Sequence, residues 1–328
     1  MRVLVTGATG FVGRHVVAAL CRRGHEVHVA LRGSHRTGDV PAGVAHHAVG
    51  EIGPGTDWTA ALAGMQAVVH CAGLAHVPQR SSGSSDPPYR RVNADGTAAL
   101  AAAAVGAGVR RFCHISTARV LGEASGPRPL SEADPAAPVN AYDASKLEAE
   151  RRLTDIVAGT ALSAVILRPP LVYGPGAKAN VARLLKLCAL PLPLPFGAVD
   201  TNRRSLIYVG NLADAAAHVL EPPDPHGPTA GGAPAGTYLV CDGEDLSTAE
   251  LVRRLRQAMG RPPRLVPLPV RLLTVAGRLA RRRGEVDRLT GSLAIDGTAF
   301  RTATGWSPPF SVDEGLAETV RWFRGTAG

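Results

Sequence analysis

Lysine is nearly absent from this chain. Only Lys146, Lys178 and Lys186 are lysines among its 36 basic residues, and the other 33 are arginines in a sequence also rich in Ala, Gly and Pro. The formal charge of +9 points first to anionic partners: nucleic acid, phosphorylated small molecules or an acidic membrane surface. An arginine bias of this kind is equally the mark of GC-rich coding. Aromatic residues make up only 4% of the chain and few interleave with the arginines. With no helix-turn-helix, zinc-finger or RNA-binding signature, nucleic acid is not an expected partner. Cysteine is scarce and odd in number: Cys21, Cys71, Cys113, Cys188 and Cys241 are widely spaced, with no CxxC pair. Neither a disulfide framework nor a metal site is expected, and the pattern reads as reduced thiols in a cytoplasmic protein. No apolar run approaches the roughly 18 residues of a membrane span. Met1–Val5 enters a strand-like pattern without the charged and apolar regions of a secretory signal. Hydrophobic residues at 45% and charged residues at 19% exclude intrinsic disorder and fit a globular protein of about two domains.

What is present is an alternation of short apolar runs and helical segments. Val3–Val5, Val27–Leu31, Ala67–Cys71, Phe112–Ser116 and Ala164–Leu167 read as strands, the last halted by Pro169-Pro170. Val12–Arg23, Thr97–Ala107 and Ala141–Val157 read as helices. Short, wholly apolar strands separated by helices indicate a parallel sheet covered on both faces. The expected fold is therefore α/β, a doubly wound parallel sheet over residues 1–175. A smaller substrate-binding and capping region over 176–328, partly interleaved with that sheet, follows. Gln79–Pro88 reads as a loop over the sheet, and Glu221–Gly236, dense in Pro and Gly, as irregular. Ser247 with Glu250 and Ser311 with Glu314 mark helix starts by capping boxes.

Gly7-Ala8-Thr9-Gly10-Phe11-Val12-Gly13 follows the first strand and opens the first helix. Gly7 permits a tight turn, Gly10 lets the backbone approach a pyrophosphate, and Gly13 allows close helix-to-strand packing, with the helix N-terminus facing the phosphates. The spacing GxxGxxG is one residue longer than the dehydrogenase fingerprint between its first two glycines. Gly7, Thr9, Gly10, Phe11, Val12 and Gly13 are thus candidate dinucleotide contacts in a Rossmann-type domain. After the second strand comes Leu31-Arg32-Gly33-Ser34, with no acid to accept a ribose 2′-hydroxyl. Arg32, with Arg14 or Arg36, suits a 2′-phosphate, so NADP(H) is favoured, with NAD(H) as the alternative.

Tyr142 and Lys146 lie four residues apart on one face of the predicted helix. The lysine charge is expected to lower the phenol pKa and make it usable for proton exchange. Together the two motifs resemble the extended short-chain dehydrogenase/reductase family, in its NAD(P)-dependent epimerase/dehydratase branch, which acts on nucleotide-linked sugars. The resemblance runs across nearly the whole chain. It implies that Thr117, within His114–Gly122, is the third catalytic residue beside Tyr142 and Lys146, with Ser116 next to it against the cofactor. It likewise implies that Cys71, Ala72 and Gly73 border the cofactor, that Asn93 belongs to the family's Asn-containing helix start, and that Pro169 lies in the loop beneath the nicotinamide. Arg204, in Arg204–Asn211, resembles the arginine that meets a substrate diphosphate, and His76, Thr117 and Asn180 are further substrate candidates. By the same resemblance Tyr142 exchanges a proton with the sugar oxygen, Thr117 hydrogen-bonds that oxygen, and Lys146 holds the nicotinamide ribose and tunes Tyr142. A homodimer through the helices around Thr97–Gly108 and Ala141–Val157 is implied too.

One departure narrows the chemistry. Dehydratases of the family carry an Asp-Glu pair directly after the catalytic Thr, where this chain has Ala118-Arg119. A methyl group and a cation do not replace an acid and a base, so dehydration is disfavoured. The expected activity is NADPH-dependent reduction of a 4-keto-hexose nucleotide, with nucleotide-sugar 4-epimerisation as the alternative. A reductase of a non-nucleotide ketone and a non-catalytic NADPH-binding module stand behind both. Arg278–Arg283, following apolar Val270–Val275, reads as a solvated helix end. The less favoured reading is a basic amphipathic helix, which makes any membrane contact peripheral.

Overall fold

The computed structural model describes residues 1–33, 41, 43–75, 88–221, 233–279 and 283–326. Arg36, His76, residues 79–87, most of Glu221–Gly236, and Arg281 and Arg282 lie outside them. The strands are β1 (Arg2–Thr6), β2 (Glu26–Leu31), β3 (Ala45–Ala48), β4 (Ala67–His70), β5 (Arg111–Ile115), β6 (Ser163–Arg168), β7 (Leu171–Tyr173), β8 (Arg204–Tyr208), β9 (Gly236–Leu239) and β10 (Asp245–Leu246). The helices are α1 (Phe11–Arg22), α2 (Thr59–Leu62), α3 (Gly96–Gly106), α4 (Ala141–Val157), α5 (Ala179–Cys188), α6 (Val209–His218), α7 (Thr248–Ala258), α8 (Val270–Leu279), α9 (Arg283–Thr290), α10 (Thr298–Thr304) and α11 (Val312–Thr326).

Seven strands form one parallel sheet in the order β3-β2-β1-β4-β5-β6-β9. β1 shows why both faces are covered. Val3 and Val5 pack with α1 and α6 on one side, while Leu4 between them packs with α3 and α4 on the other. All three side chains are fully buried, each worth about 2 kcal/mol relative to exposure. The doubly wound sheet is as expected, and β9, from the C-terminal half, closes its edge. β3, Ala-His-His-Ala, is largely exposed and so lacks the apolar signature of a central strand. A second sheet, β10-β8-β7, shares a core with α5, α7 and α11 through residues such as Leu206, Leu185, Val252 and Leu316.

Of the two expected capping boxes, one is complete. Ser311 N donates to Glu314 Oε2 at 2.8 Å while Glu314 N donates to Ser311 Oγ at 3.3 Å. At α7, Ser247 Oγ accepts from Glu250 N at 3.1 Å. The Glu250 carboxylate, however, turns to Arg253 and Arg254 instead of reaching back, because two cations within one turn outcompete a single backbone N–H.

Candidate active site

β1 and β4 adjoin where the strand order reverses, and ligand crevices of such sheets open beyond the strand ends at that point. The chain end of β1 is shaped by glycine. Gly7 has φ +68°, and a Cβ there would come within 2.7 Å of Ala72 N, in the segment that leaves β4. A Cβ on Gly13 would come within 2.1 Å of Gly7 O, so the first turn of α1 rests directly on the glycine turn. Gly10 N donates to Gly7 O at 2.9 Å, and Gly10 caps α1 without any side chain over the first N–H groups. These N–H groups and the helix dipole suit a diphosphate. Thr9, Phe11 and Val12 belong to the same turn.

Beneath this crevice the end of β4 is fixed by a chain of buried hydrogen bonds. Thr97 Oγ1 donates to Asn93 O at 2.6 Å, so its lone pair receives the His70 Nε2 proton at 2.9 Å. His70 Nδ1 then accepts from Thr6 Oγ1 at 2.6 Å, a tautomer assigned from the network. Burial, and after it the Lys146 charge, pull His70 down to about 3, so the ring is neutral. Asn93, in a π-helical segment Arg90–Asp95, accepts from Leu74 N at 2.8 Å and donates to Leu74 O and to Ser145 Oγ, both at 3.0 Å. Its side chain therefore braces the Cys71–Leu74 segment against α4, and Gly73 passes so close that a Cβ would meet Asn93 Oδ1 at 3.1 Å.

The segment that carries Thr117 and the helix that carries Tyr142 are tied to each other at two points, one on each side of Thr117. Lys146 Nζ donates to Ile115 O at 2.7 Å and to His114 Nε2 at 3.1 Å, which anchors α4 two residues before Thr117. Arg119 Nη2 donates to Asp143 Oδ2 at 3.1 Å, which anchors α4 two residues after it. Thr117 accepts from Arg119 N at 3.3 Å and caps the 3-10 turn Ala118–Leu121. Pro169 O accepts from Ala118 N at 2.8 Å, closing the opposite wall. Ser116 lies behind this surface: its hydroxyl donates to Glu150, which also receives Arg168 Nη2 at 2.6 Å. Glu150 stands one turn after Lys146, a spacing that points to its charge effect on Lys146 but not to its ties to Ser116 and Arg168.

The electrostatics correct one expectation. Burial, then the Asp143 charge, push the Tyr142 phenol up to about 12, opposite to the expected depression, because desolvation outweighs the lowering by a nearby cation, which is Arg119. Burial also brings Lys146 down to about 8, with Glu150 opposing the fall. His114, stacked on His70 at 5.3 Å, is held well below its ordinary value by burial and Lys146. Asp143, whose carboxyl is raised by burial against the pull of Arg119, was not singled out from sequence. Its pairing with Arg119 is a loop-to-helix contact with no local signal.

The remaining candidates are more dispersed. Arg32 is exposed just beyond β2, whereas Arg14 Nε donates to Gly10 O at 3.3 Å and its guanidinium lies against Gly176. Arg204 is occupied by protein: its guanidinium donates to Arg288 O and, at 3.1 Å, to Gly291 O, at the end of α9. Asn180 is exposed in the first turn of α5, directly after Ala179, the non-glycine described residue at positive φ, +52°. Such conformations gather at functional sites.

The family model described as NAD dependent epimerase/dehydratase matches residues 3–230. The chain belongs to that family. It is 38% identical over 323 residues to a UDP-glucose 4-epimerase of Vibrio cholerae, covering 98% of this chain and 95% of that one. A 2-alkyl-3-oxoalkanoate reductase of Stenotrophomonas maltophilia is 30% identical over 340 residues, covering 96% and 97%. The crystal structure of a Thermus thermophilus UDP-glucose 4-epimerase in complex with NAD superposes with a TM-score of 0.73, at 28% identity and 99% coverage of both chains. The chain is thus an enzyme of the extended short-chain dehydrogenase/reductase epimerase/dehydratase branch.

Proposed function

We propose that this chain is a nucleotide-sugar 4-epimerase that works with NAD and reuses it. One observation carries the reading above elimination: Lys146 on Ile115 O and Arg119 on Asp143 tie the helix of Tyr142 to the segment of Thr117, and Arg119 fills the position from which a second acid or base would serve elimination. Moving a hydrogen off a sugar carbon and returning it to the other face needs a proton to leave and return at one oxygen only. The likeness to two UDP-glucose 4-epimerases, one complexed with NAD, supports the same reading.

In this reading the turn Gly7–Gly13 and the N-terminus of α1 hold the cofactor diphosphate, and Cys71, Ala72, Gly73 and Pro169 wall the nicotinamide side. When bound, the nicotinamide supplies the hydride acceptor and donor. Thr117 donates a hydrogen bond to the reacting oxygen, and Tyr142 exchanges its proton. A phenol near 12 rests protonated, so an acceptor role needs positive charge close by. Lys146, one turn along and charged below about pH 8, is the chain's own source. Asn180 lines the sugar-nucleotide side, with Arg204 shaping it through α9. A homodimer through α3 and α4 and the division near residue 175 belong to the same reading. NADPH-dependent 4-keto reduction is the second reading, supported by the exposed Arg32, the missing acid after β2 and the similarity to a named reductase.

The test is incubation with UDP-glucose and with a 4-keto-6-deoxy sugar nucleotide, following isomers by NMR and nicotinamide absorbance together. Interconversion of UDP-glucose and UDP-galactose without net absorbance change, lost by about 10²–10⁴-fold in Tyr142→Phe, is expected. Stoichiometric NADPH oxidation without interconversion overturns the proposal in favour of reduction.

A further inference from the structure

Charge is distributed unevenly in this protein. Residues 176–199 and 258–284 hold ten of the 36 basic residues and none of the 27 acidic ones, leaving 26 basic against 27 acidic residues elsewhere. The net positive charge thus comes from these two segments, and they meet in space. Leu194 N donates to Arg264 O at 3.1 Å, Val266 N to Leu194 O at 2.9 Å, and Gly197 N to Val266 O at 3.0 Å. The buried Arg256 guanidinium fastens both, donating to Leu192 O at 2.9 Å and Pro262 O at 3.0 Å. α8 follows directly.

The same region gathers the exposed apolar surface. Of the ten large hydrophobic side chains exposed among the described residues, seven lie in these two segments. Within α8, Leu272, Val275 and Leu279 recur three and four residues apart and are 54%, 50% and 82% exposed. They form an outward apolar stripe, while Leu273 packs inward against the core of α5, α7 and α11. Surface helices of globular proteins turn their apolar stripe inward. This one keeps a second stripe outside, beside the exposed Arg271 and Arg278, and Leu192 adds a 62% exposed side chain on the neighbouring loop.

Aliphatic side chains flanked by Arg271 and Arg278, with no acid in either segment, complement an interface that is apolar inside and anionic at its rim. We propose that this face docks the enzyme peripherally on an anionic lipid bilayer, with the α8 stripe and the Leu190–Pro193 loop in the acyl boundary and Arg271 and Arg278 at the headgroups. A second copy of the chain is a poor occupant, because an isologous contact sets the same acid-free segments against each other. α8 packs on α9, whose last carbonyls hold Arg204, so docking sets the capping region next to the bilayer. The proposal rests on this surface and not on the reaction assigned above.

The experiment is flotation of the full-length chain with phosphatidylcholine vesicles, with and without phosphatidylglycerol, at low and high salt. Binding is expected only with phosphatidylglycerol and weakening with salt. Arg271→Gln/Arg278→Gln should lower the partition coefficient at least about 25-fold, roughly fivefold for each basic residue removed. Leu272→Ser/Val275→Ser/Leu279→Ser should remove the binding that survives at high salt, and both variants should keep the wild-type melting temperature. Absence of flotation with phosphatidylglycerol, or equal flotation of wild type and both variants, overturns the proposal. So does a dimer in sedimentation equilibrium that the serine variant dissolves, without lipid binding.

Discussion

Gly13→Ala places one methyl group where the structure has no room for it. The added carbon would stand 2.1 Å from Gly7 O, against an ordinary contact of 3.4 Å, so the turn and the helix must part by about 1.3 Å. Both partners are backbone, and neither has a rotamer with which to yield. Overpacking of this kind costs about 1–3 kcal/mol of stability. Function should suffer in proportion, because opening the turn withdraws the N–H groups of α1 from the phosphate position. Each hydrogen bond to a charged group is worth about 1.5–3 kcal/mol, so the loss of one raises the dissociation constant for NADH about 10–100-fold. The assay pairs urea unfolding with titration calorimetry of NADH. Gly106→Ala is the internal control: it adds the same methyl group at a helical position with nothing within 4 Å, and should be neutral or stabilising by about 0.5–1 kcal/mol with unchanged NADH affinity. If Gly13→Ala binds NADH as tightly as the wild type and unfolds at the same urea concentration, the cradle does not hold the cofactor as argued.

Arg119→Ala should destabilise the fold by about 3 kcal/mol at pH 7, since it strands the buried Asp143 carboxylate with Asn140 as its remaining charge-stabilising partner. The Asp143 carboxyl is raised by burial, so the folded state binds its proton more tightly than the unfolded chain, and stability from this group rises as pH falls through the raised value. Without Arg119 the rise grows, and the deficit of the variant should shrink on acidification from pH 7. A deficit independent of pH in urea titrations would contradict the pairing. Lys146 has the opposite sign: a folded value near 8, below the ordinary 10.5, penalises the fold below pH 8 and relieves it as pH rises between the two values. Wild-type stability measured by urea unfolding should therefore gain between pH 8 and 10 relative to Lys146→Met. Parallel pH profiles would show that the ammonium is not buried.

The parts legible from sequence are those whose causes are local. β1, β4 and β5 declare themselves because a strand covered on both faces reads as a short, nearly continuous apolar run, and the glycine turn because its backbone conformation admits almost no other residue. Tyr142 and Lys146 share a helix face, so four-residue spacing alone joins them. The Arg119–Asp143 pair, the bracing of Leu74 by Asn93 and the capture of Arg204 by α9 carbonyls join residues 24, 19 and 84 positions apart, and no spacing rule reaches across them. The phenol pKa depends on how much water the fold removes, which a cation four residues away does not reveal. α8 was legible as apolar and basic, but which side of its apolar surface meets the core is decided by Leu273 and the helices it packs on.

The claim that one hydrogen leaves and returns at a single sugar carbon is tested most directly with UDP-[4-²H]glucose in ordinary water, in the presence of NAD. The account predicts UDP-galactose that retains deuterium at C4, because the cofactor is reused within each turnover. UDP-galactose with deuterium washed out, or labelled substrate that yields no isomer, would contradict it.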